Sequence, residues 1–137
     1  LANKLDKITE NCAWYGVDGA AVSPWGKPII PIEMISPLVT HTSSGLKSQA
    51  KGPAIGLFAD LEIRMIKGPL FVGQDYLLER EVVGLGESRR TESVWIKTLI
   101  KDPQSGELLA TTLLNSATLK HSYAKYEEEA KRIGKVL

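Results

Sequence analysis

The sequence predicts an α+β fold in which an antiparallel sheet wraps around one central helix. One apolar segment bounded by glycine and proline, residues 25–45, has the marks of a helix, and no second helix is indicated before the C-terminus. Four segments with β patterning then follow one another directly, at residues 54–66, 76–84, 92–101 and 107–121. A run of strands kept apart from the helices is typical of α+β proteins.

The size and charge of the chain narrow the classes of protein that it could represent. Its 137 residues are expected to form a single domain over 1–137, and a start at Leu1 in place of Met leaves open a longer chain or a two-subunit assembly. A net charge of +1 without a concentrated basic face argues against a nucleic-acid-binding protein.

The sequence also bears on location. It has no run of about 18 apolar residues, so no membrane span is predicted. The N-terminus lacks the basic segment and apolar core of a signal peptide. Cys12 is the only cysteine, which excludes an internal disulfide and a cysteine-rich metal cluster. We therefore expect a cytoplasmic protein.

Two segments precede the central helix. Residues 1–14 carry a weak amphipathic pattern, which indicates either a short helix or a segment laid over the sheet. Residues 15–27 contain three glycines and a proline and are expected to form a loop.

The central helix has two candidate start points. Pro31 suits a first helical turn, and so does Pro37 after an N-cap at Ser36. Because a proline inside a helix removes a hydrogen bond, we expect a bent or two-part helix that ends near Gly45. Its apolar stripe consists of Ile35, Leu38, Val39, Thr42 and Leu46.

The rest of the chain is predicted to be sheet followed by a terminal helix. Apolar and polar residues largely alternate over residues 61–66, as in a half-buried strand, and residues 94–99 also read as a strand. The sequence DPQSG at residues 102–106 predicts a five-residue hairpin turn between two strands. Residues 122–137 have the charge pattern of a solvated helix.

Several short motifs, taken in order, resemble one known family. The segment GKPIIP at residues 26–31 is similar to the sequence that leads into the central helix of MaoC-like hotdog-fold dehydratases and hydratases, above all their N-terminal half-domains. Residues 68–75, GPLFVGQD, resemble a turn of that family between two strands. Residues 106–110, GELLA, resemble the end of its hairpin. The resemblance spans residues 15–121 and implies a hotdog fold.

The resemblance also implies a chemistry. Family members act on acyl thioesters carried by coenzyme A or acyl carrier protein, commonly by reversible addition of water, and no further cofactor is expected. An aspartate and a histidine near the helix start activate water and move a proton. Backbone N–H groups at the start of the helix polarise the thioester carbonyl.

This chain departs from that pattern at the catalytic position. Asp18 matches the acidic residue that precedes the first glycine of the helix-entry motif, here Gly26, but residues 1–40 contain no histidine. Pro31 and Ile32 stand where the catalytic histidine and glycine would be expected. Asp18 is therefore either a general base or an ordinary turn aspartate, and the chain could be a half-domain whose partner supplies catalysis.

Two further residues are candidates for catalysis. Glu33 at the helix start could act as the base or nucleophile of a thioesterase, or could simply favour the first turn of the helix. His41 is a weaker candidate. It lies about 12 Å of helix rise beyond Glu33, so direct contact between the two is not expected.

Contacts to substrate are expected from residues around the same loop and from one distant turn. Arg89 and Arg90 sit in a predicted turn, where their guanidinium groups could bind coenzyme A phosphates or could simply be solvated. His41 and His121 are too far apart in the sequence for a metal site to be predicted. The remaining expected substrate contacts are Tyr15, Gly26, Pro31 and Ile32.

Three functions stay open at this point. The first is hydration or dehydration of an acyl thioester, and the second is thioester hydrolysis through Glu33. The third is a non-catalytic, acyl-binding subunit of a hotdog heterodimer. Because a single hotdog leaves a sheet edge exposed, we expect either a homodimer or pairing with a second hotdog subunit.

Overall fold

Four strands form one antiparallel sheet in the order β1-β4-β3-β2. The computed structural model describes residues 8, 10–41 and 52–135. The predicted strands are confirmed, with ends that agree within three residues. Their bounds are β1 Gly56–Met65, β2 Leu77–Glu87, β3 Thr91–Lys101 and β4 Leu108–Leu119.

The helical elements are short. A 3₁₀ turn, Val17–Ala21, lies in the loop that precedes the central helix. The central helix consists of a second 3₁₀ turn, Ile32–Met34, which passes directly into α1, Ile35–His41. After β4 come a third 3₁₀ turn, Lys120–Ser122, and the C-terminal helix α2, Tyr126–Arg132. Residues 10–14 are not helical, and most of the earlier residues lie outside the described part of the chain.

The two-part central helix predicted from the prolines is confirmed. Because α1 begins at Ile35, Pro37 falls in its first turn, where the missing N–H breaks no helical hydrogen bond. Ser36 lies inside α1 and does not cap it, which corrects that assignment. The end expected near Gly45 lies outside the described residues.

The turn between β3 and β4 is organised by one side chain. Asp102 Oδ1 accepts hydrogen bonds from the backbone of Gln104 at 2.9 Å and of Ser105 at 2.7 Å. Gly106 follows with a φ of 72°, a left-handed conformation that glycine adopts without steric cost. The five-residue hairpin turn predicted at residues 102–106 is confirmed.

The chain divides into two compact units, and each strand contributes residues to both. The first unit comprises Leu1–Gly45, Ile63–Glu79 and Leu99–Thr111. The second comprises Leu46–Glu62, Arg80–Thr98 and Thr112–Leu137. The single domain expected over residues 1–137 stays a prediction.

The core of the first unit joins the central helix to the sheet. Ile35 of α1 and Ile100 of β3 are 1% and 0% exposed, and burying each contributes roughly 1.5–3 kcal/mol. The full buried cluster is Ile30, Met34, Ile35, Val39, Leu70, Ile100 and Ala110. The helix stripe is thus confirmed at Ile35 and Val39, whereas Thr42 and Leu46 lie outside the described residues.

In the second unit, α2 ends in a glycine-dependent cap. The backbone N–H of Gly134 donates to Lys131 at 3.1 Å, and that of Lys135 donates to Ala130 at 2.9 Å. This is the hydrogen-bond pair of a Schellman motif, which requires the left-handed φ of 72° at Gly134. The cap ends the predicted terminal helix earlier than residue 137.

Candidate functional site

The loop that carries Asp18 is built by a close backbone crossing. Gly19 is buried, and a Cβ at this position would lie 2.1 Å from the carbonyl oxygen of Ala13. Its backbone N–H donates to Gly16 at 2.9 Å, and its carbonyl accepts from Ser23 at 2.8 Å. The resulting 3₁₀ turn, Val17–Ala21, places Asp18 in its first turn with the side chain exposed.

The same loop is fastened to the segment that leads into the central helix. The N–H of Ile29 donates to the carbonyl of Trp14 at 2.9 Å. Ile29 also bridges to Phe71, and the N–H of Ile30 donates to Leu70 at 2.7 Å. One short extended segment therefore holds both the aspartate loop and the start of the helix.

The helix start presents side chains of different character. Pro31 is fully buried, so its side chain is not available to a substrate. It could affect substrate binding only by fixing the backbone conformation at the helix start. Ile32 is 51% exposed, and Glu33 beside it is also exposed. Glu33 lies in the first turn of the 3₁₀ segment, where a carboxylate interacts favourably with the unpaired N–H groups of the helix start.

Tyr15 interacts with two acidic residues, Glu10 before the aspartate loop and Glu33 after it. Its hydroxyl donates to Glu10 Oε2 at 2.8 Å. Burial raises the pKa of the Tyr15 phenol well above its usual range, and the hydrogen bond to Glu10 and the negative charge of Glu33 raise it further. The phenol therefore stays protonated at neutral pH. Sequence reasoning missed Glu10, because no periodicity marks a contact across an irregular loop.

An aromatic cluster, consisting of Trp14, Trp25 and Phe71, flanks the aspartate loop. The ring centroids of Trp14 and Trp25 are 5.6 Å apart in an edge-to-face arrangement, and those of Trp25 and Phe71 are 6.5 Å apart. Lys27 Nζ lies 5.5 Å from the centroid of the Phe71 ring, within cation–π range. Gly26, between Trp25 and Lys27 in the sequence, adopts a φ of 63°. Its N–H donates to the carbonyl of Ser23 and closes a turn.

The other predicted site residues lie apart from this loop. His41 is the last residue of α1 and is exposed. Arg89 and Arg90 belong to the second unit, where both are exposed in the tight turn between β2 and β3. The N–H of Arg90 donates to Ser88 Oγ at 3.2 Å. The structure thus fastens the loop of Asp18, Tyr15 and Gly26 to the segment before the helix start, and the functional roles of all the candidate residues, His41 and the two arginines included, stay predictions.

Within the described ranges 8, 10–41 and 52–135, no three histidine, cysteine, aspartate or glutamate side chains are grouped so that they could hold a metal ion. No helix in that part of the chain has the length and apolar character needed to cross a membrane.

The second unit contains a cluster that sequence reasoning missed. Lys120, 7% exposed, donates to the carboxylate of Glu87 and to the carbonyl of Ser88. Lys135 donates to Glu92 at 2.7 Å and pairs with Glu87 at 3.0 Å. The hydrogen bonds from Lys120 and Lys135 lower the pKa of Glu87. Both cations are thus partnered inside a groove of about 450 Å³.

Several solved structures share this fold. The chain is similar to the C-terminally truncated HadBC complex, a 3R-hydroxyacyl-ACP dehydratase from Mycobacterium tuberculosis, with a TM-score of 0.66 and 13% identity over 85% of this chain and 82% of that one. It is similar to the monoamine oxidase regulatory protein from Archaeoglobus fulgius, with a TM-score of 0.63 and 20% identity over 86% and 78%. It is also similar to the (R)-hydratase from A. caviae involved in PHA biosynthesis, with a TM-score of 0.55 and 21% identity over 84% and 81%.

These likenesses concern the fold. No protein-family model matches the chain, and no curated protein matches it. At identities of 13–21%, the three similarities establish a shared architecture that covers most of this chain. The α+β hotdog fold predicted from the sequence is therefore confirmed.

Proposed function

We propose that the chain is a hotdog hydratase or dehydratase of the MaoC-like type, or one subunit of such an enzyme. Its substrate would be an acyl thioester on coenzyme A or acyl carrier protein. One observation carries the proposal: in a hotdog fold shared with a dehydratase and a hydratase, Asp18 and the start of the central helix are held by the same short segment. That segment therefore links a candidate base to a group of backbone donors.

In the proposed hydration, the oxygen of a water molecule bonds to the β-carbon of an enoyl thioester. The Asp18 carboxylate takes the proton that the water loses, and the α-carbon receives a proton from an acid as the double bond becomes single. The backbone N–H groups of Ile32 and Glu33 would stabilise the negative charge that develops on the thioester oxygen. Dehydration is the same sequence in reverse.

The acid in this scheme would come from a paired hotdog subunit. The chain has no histidine in residues 1–40, and His41 is exposed at the far end of α1. The phenol of Tyr15 is protonated but is engaged by Glu10. A histidine supplied by a partner would complete the pair of proton-carrying groups. The same pairing would serve a non-catalytic, acyl-binding subunit, which is the third candidate function.

Strand β1 is the edge that we expect to carry the pairing. It lies at one end of the sheet, and its first five residues, Gly56–Asp60, are all exposed. Leu57 and Phe58 are 40% and 60% exposed. Because neighbouring residues of a strand point to opposite faces, an apolar side chain is exposed on each face of β1. An edge strand that is apolar and uncovered on both faces is a template for a second chain. Pairing through β1 would give one continuous sheet.

The test is mass spectrometry of enoyl, 3-hydroxyacyl and saturated coenzyme A esters incubated with the pure chain. Gain or loss of one water supports the proposal, and Asp18→Asn should then lower turnover about 100-fold or more. Glu128→Gln, which neutralises an exposed carboxylate on α2, is the matched control and should leave turnover unchanged. Full activity in Asp18→Asn would remove Asp18 from the mechanism.

Two other outcomes of the same experiment identify the rival functions. Release of free coenzyme A would indicate a thioesterase, a function favoured by the exposed position of Glu33, and Glu33→Gln should then abolish hydrolysis. If every ester is unchanged by the chain alone, hydration should appear only when a partner subunit with an aspartate–histidine pair is added.

A further inference from the structure

The extended segment before the central helix, residues 28–30, is paired with residues 70–72 by two backbone hydrogen bonds of 2.7 and 2.9 Å. These bonds lie on either side of the bridged pair Ile29 and Phe71. The hydrogen-bonded residues are Ile30 with Leu70 and Val72 with Pro28. In an antiparallel pair of this kind, the N–H and C=O of the two central residues point away from each other's strand. The backbone of Phe71 therefore needs a partner outside the pair.

The hydroxyl of Tyr76 is that partner. The N–H of Phe71 donates to it at 2.6 Å, and the hydroxyl donates back to the Phe71 carbonyl over a longer distance of 3.4 Å. One phenol thus takes the place of a third strand for both backbone groups. The side chain of Tyr76 is half-buried against the core of the first unit. Burial raises the pKa of the phenol, so it keeps its proton at neutral pH.

Tyr76 also connects this pair to the regular sheet. It immediately precedes Leu77, the first residue of β2. The turn that brings the chain from Phe71 to Tyr76 passes through Gly73, whose φ of 78° glycine adopts without steric cost. The hydroxyl therefore ties a short irregular segment to the start of a strand.

On the opposite side of the pair, Ile29 holds the two parts of the candidate site. Its own outward N–H donates to the carbonyl of Trp14 at 2.9 Å, which fastens the aspartate loop. Ile29 is followed closely by Pro31, the residue that caps the 3₁₀ turn at the start of the helix. Backbone contacts thus run without a gap from the Tyr76 hydroxyl through Phe71 and Ile29 to the aspartate loop and the helix start.

We propose that Tyr76 is a positioning residue for the reaction at the helix start. Its hydroxyl fixes Phe71, and the paired segment then sets the position of the Asp18 loop relative to the backbone donors of Ile32 and Glu33. The inference rests on the proposed function and adds to it a residue that acts through the backbone and not on the substrate. A misplacement of about 1 Å caused far from the chemistry can lower a rate about 100-fold, so the loss of one hydroxyl is sufficient for a measurable effect.

The test compares Tyr76→Phe with Tyr123→Phe in the turnover of whichever ester the wild type accepts. Tyr76→Phe keeps the ring in the core and removes only the hydroxyl. Its kcat should fall roughly 10- to 100-fold while KM changes less than about twofold, because alignment of the reacting groups acts in the transition state. Tyr123→Phe is the matched control. It removes a hydroxyl that donates to Glu129 at 2.9 Å in the second unit, and it should keep both constants.

Amide hydrogen exchange gives a second readout, which does not depend on activity. In Tyr76→Phe, the amides of Ile29 and Ile30 should exchange roughly tenfold faster or more, because the pair loosens once Phe71 loses its partner. The amide of Ile133, which donates to Glu129 in the second unit, should exchange as in the wild type. A purely local, structural role for Tyr76 would speed exchange at Phe71 alone.

Several results would overturn the inference. These are unchanged exchange at Ile29 and Ile30, an unchanged kcat in Tyr76→Phe, a rise in KM alone, or an equal loss of kcat in Tyr123→Phe. Both variants are measured at a temperature at which circular dichroism shows them to be folded, so a general loss of stability is not mistaken for a loss of alignment.

The two readouts separate this inference from the function on which it rests. If the wild type changes no ester, either alone or with a partner subunit added, the proposed function fails. The exchange of Ile29 and Ile30 then still decides whether Tyr76 holds the helix start. Turnover by the wild type together with unchanged exchange and kcat in Tyr76→Phe would refute the inference and leave the proposed function standing.

Discussion

Truncating Phe58 to alanine tests the pairing of β1 with a second hotdog subunit. The side chain is 60% exposed in the single chain, and full burial of a phenylalanine contributes roughly 1.5–3 kcal/mol, so covering the open part is expected to contribute about 1–2 kcal/mol. A symmetric dimer contains two copies of each contact, which doubles the figure to about 2–4 kcal/mol. The dissociation constant should therefore rise roughly 30- to 1,000-fold.

Sedimentation velocity over a range of protein concentrations measures this change. Because Phe58 is already open in the single chain, the variant should unfold at nearly the same temperature once monomeric, which excludes simple misfolding. Leu85→Ala, on the opposite edge strand β2 and 80% exposed, is the matched control and should dimerise as the wild type does. The reasoning fails if the purified wild-type chain, with no partner subunit added, is monomeric at about micromolar concentration. It also fails if Phe58→Ala dimerises as tightly as the wild type, or if Leu85→Ala weakens the dimer and Phe58→Ala does not.

Two further predictions concern folding. Gly19→Ala places a methyl group against the Ala13 carbonyl and should lower the free energy of unfolding by about 1–3 kcal/mol. Gly56→Ala, whose added methyl has no atom within 4 Å, is the control and should not lower it. Equal urea midpoints for the two variants would contradict this prediction. The lowered pKa of Glu87 implies stability that is full above its ordinary value of 4.5 and lost as the pH falls through the folded pKa. Urea titrations at about pH 7 and about pH 3 should therefore show a smaller acid loss in Glu87→Gln than in the wild type, and an equal loss would refute the contribution of this carboxylate.

Local patterns were sufficient for much of the fold. Alternating residues marked the strands, and the DPQSG turn could be recognised because the aspartate cap and the following glycine act within five residues. Two prolines predicted a two-part helix because each acts on its own turn. The sequence left two start points open, and the structure uses both prolines, since Pro31 caps the 3₁₀ turn and Pro37 lies in the first turn of α1.

The candidate site was predicted only in part, and for a physical reason. Asp18 and Glu33 could be named as candidates because a motif and a helix start identify them from neighbouring residues, and their catalytic roles stay predictions. The contact of Glu10 with Tyr15 and the edge-to-face contact of Trp25 with Phe71 join residues whose separation follows no period, so no sequence pattern indicates them.

The sequence alone therefore determined the fold class, the strands and the turns, because hydrophobic alternation, proline and glycine act over a few residues. The tertiary structure decided which side chains meet. It buried Lys120 against Glu87, 33 residues away, and it exposed β1 along an open edge of the sheet. Such contacts arise when distant segments pack together, and their energies depend on burial and distance, which the order of residues does not contain.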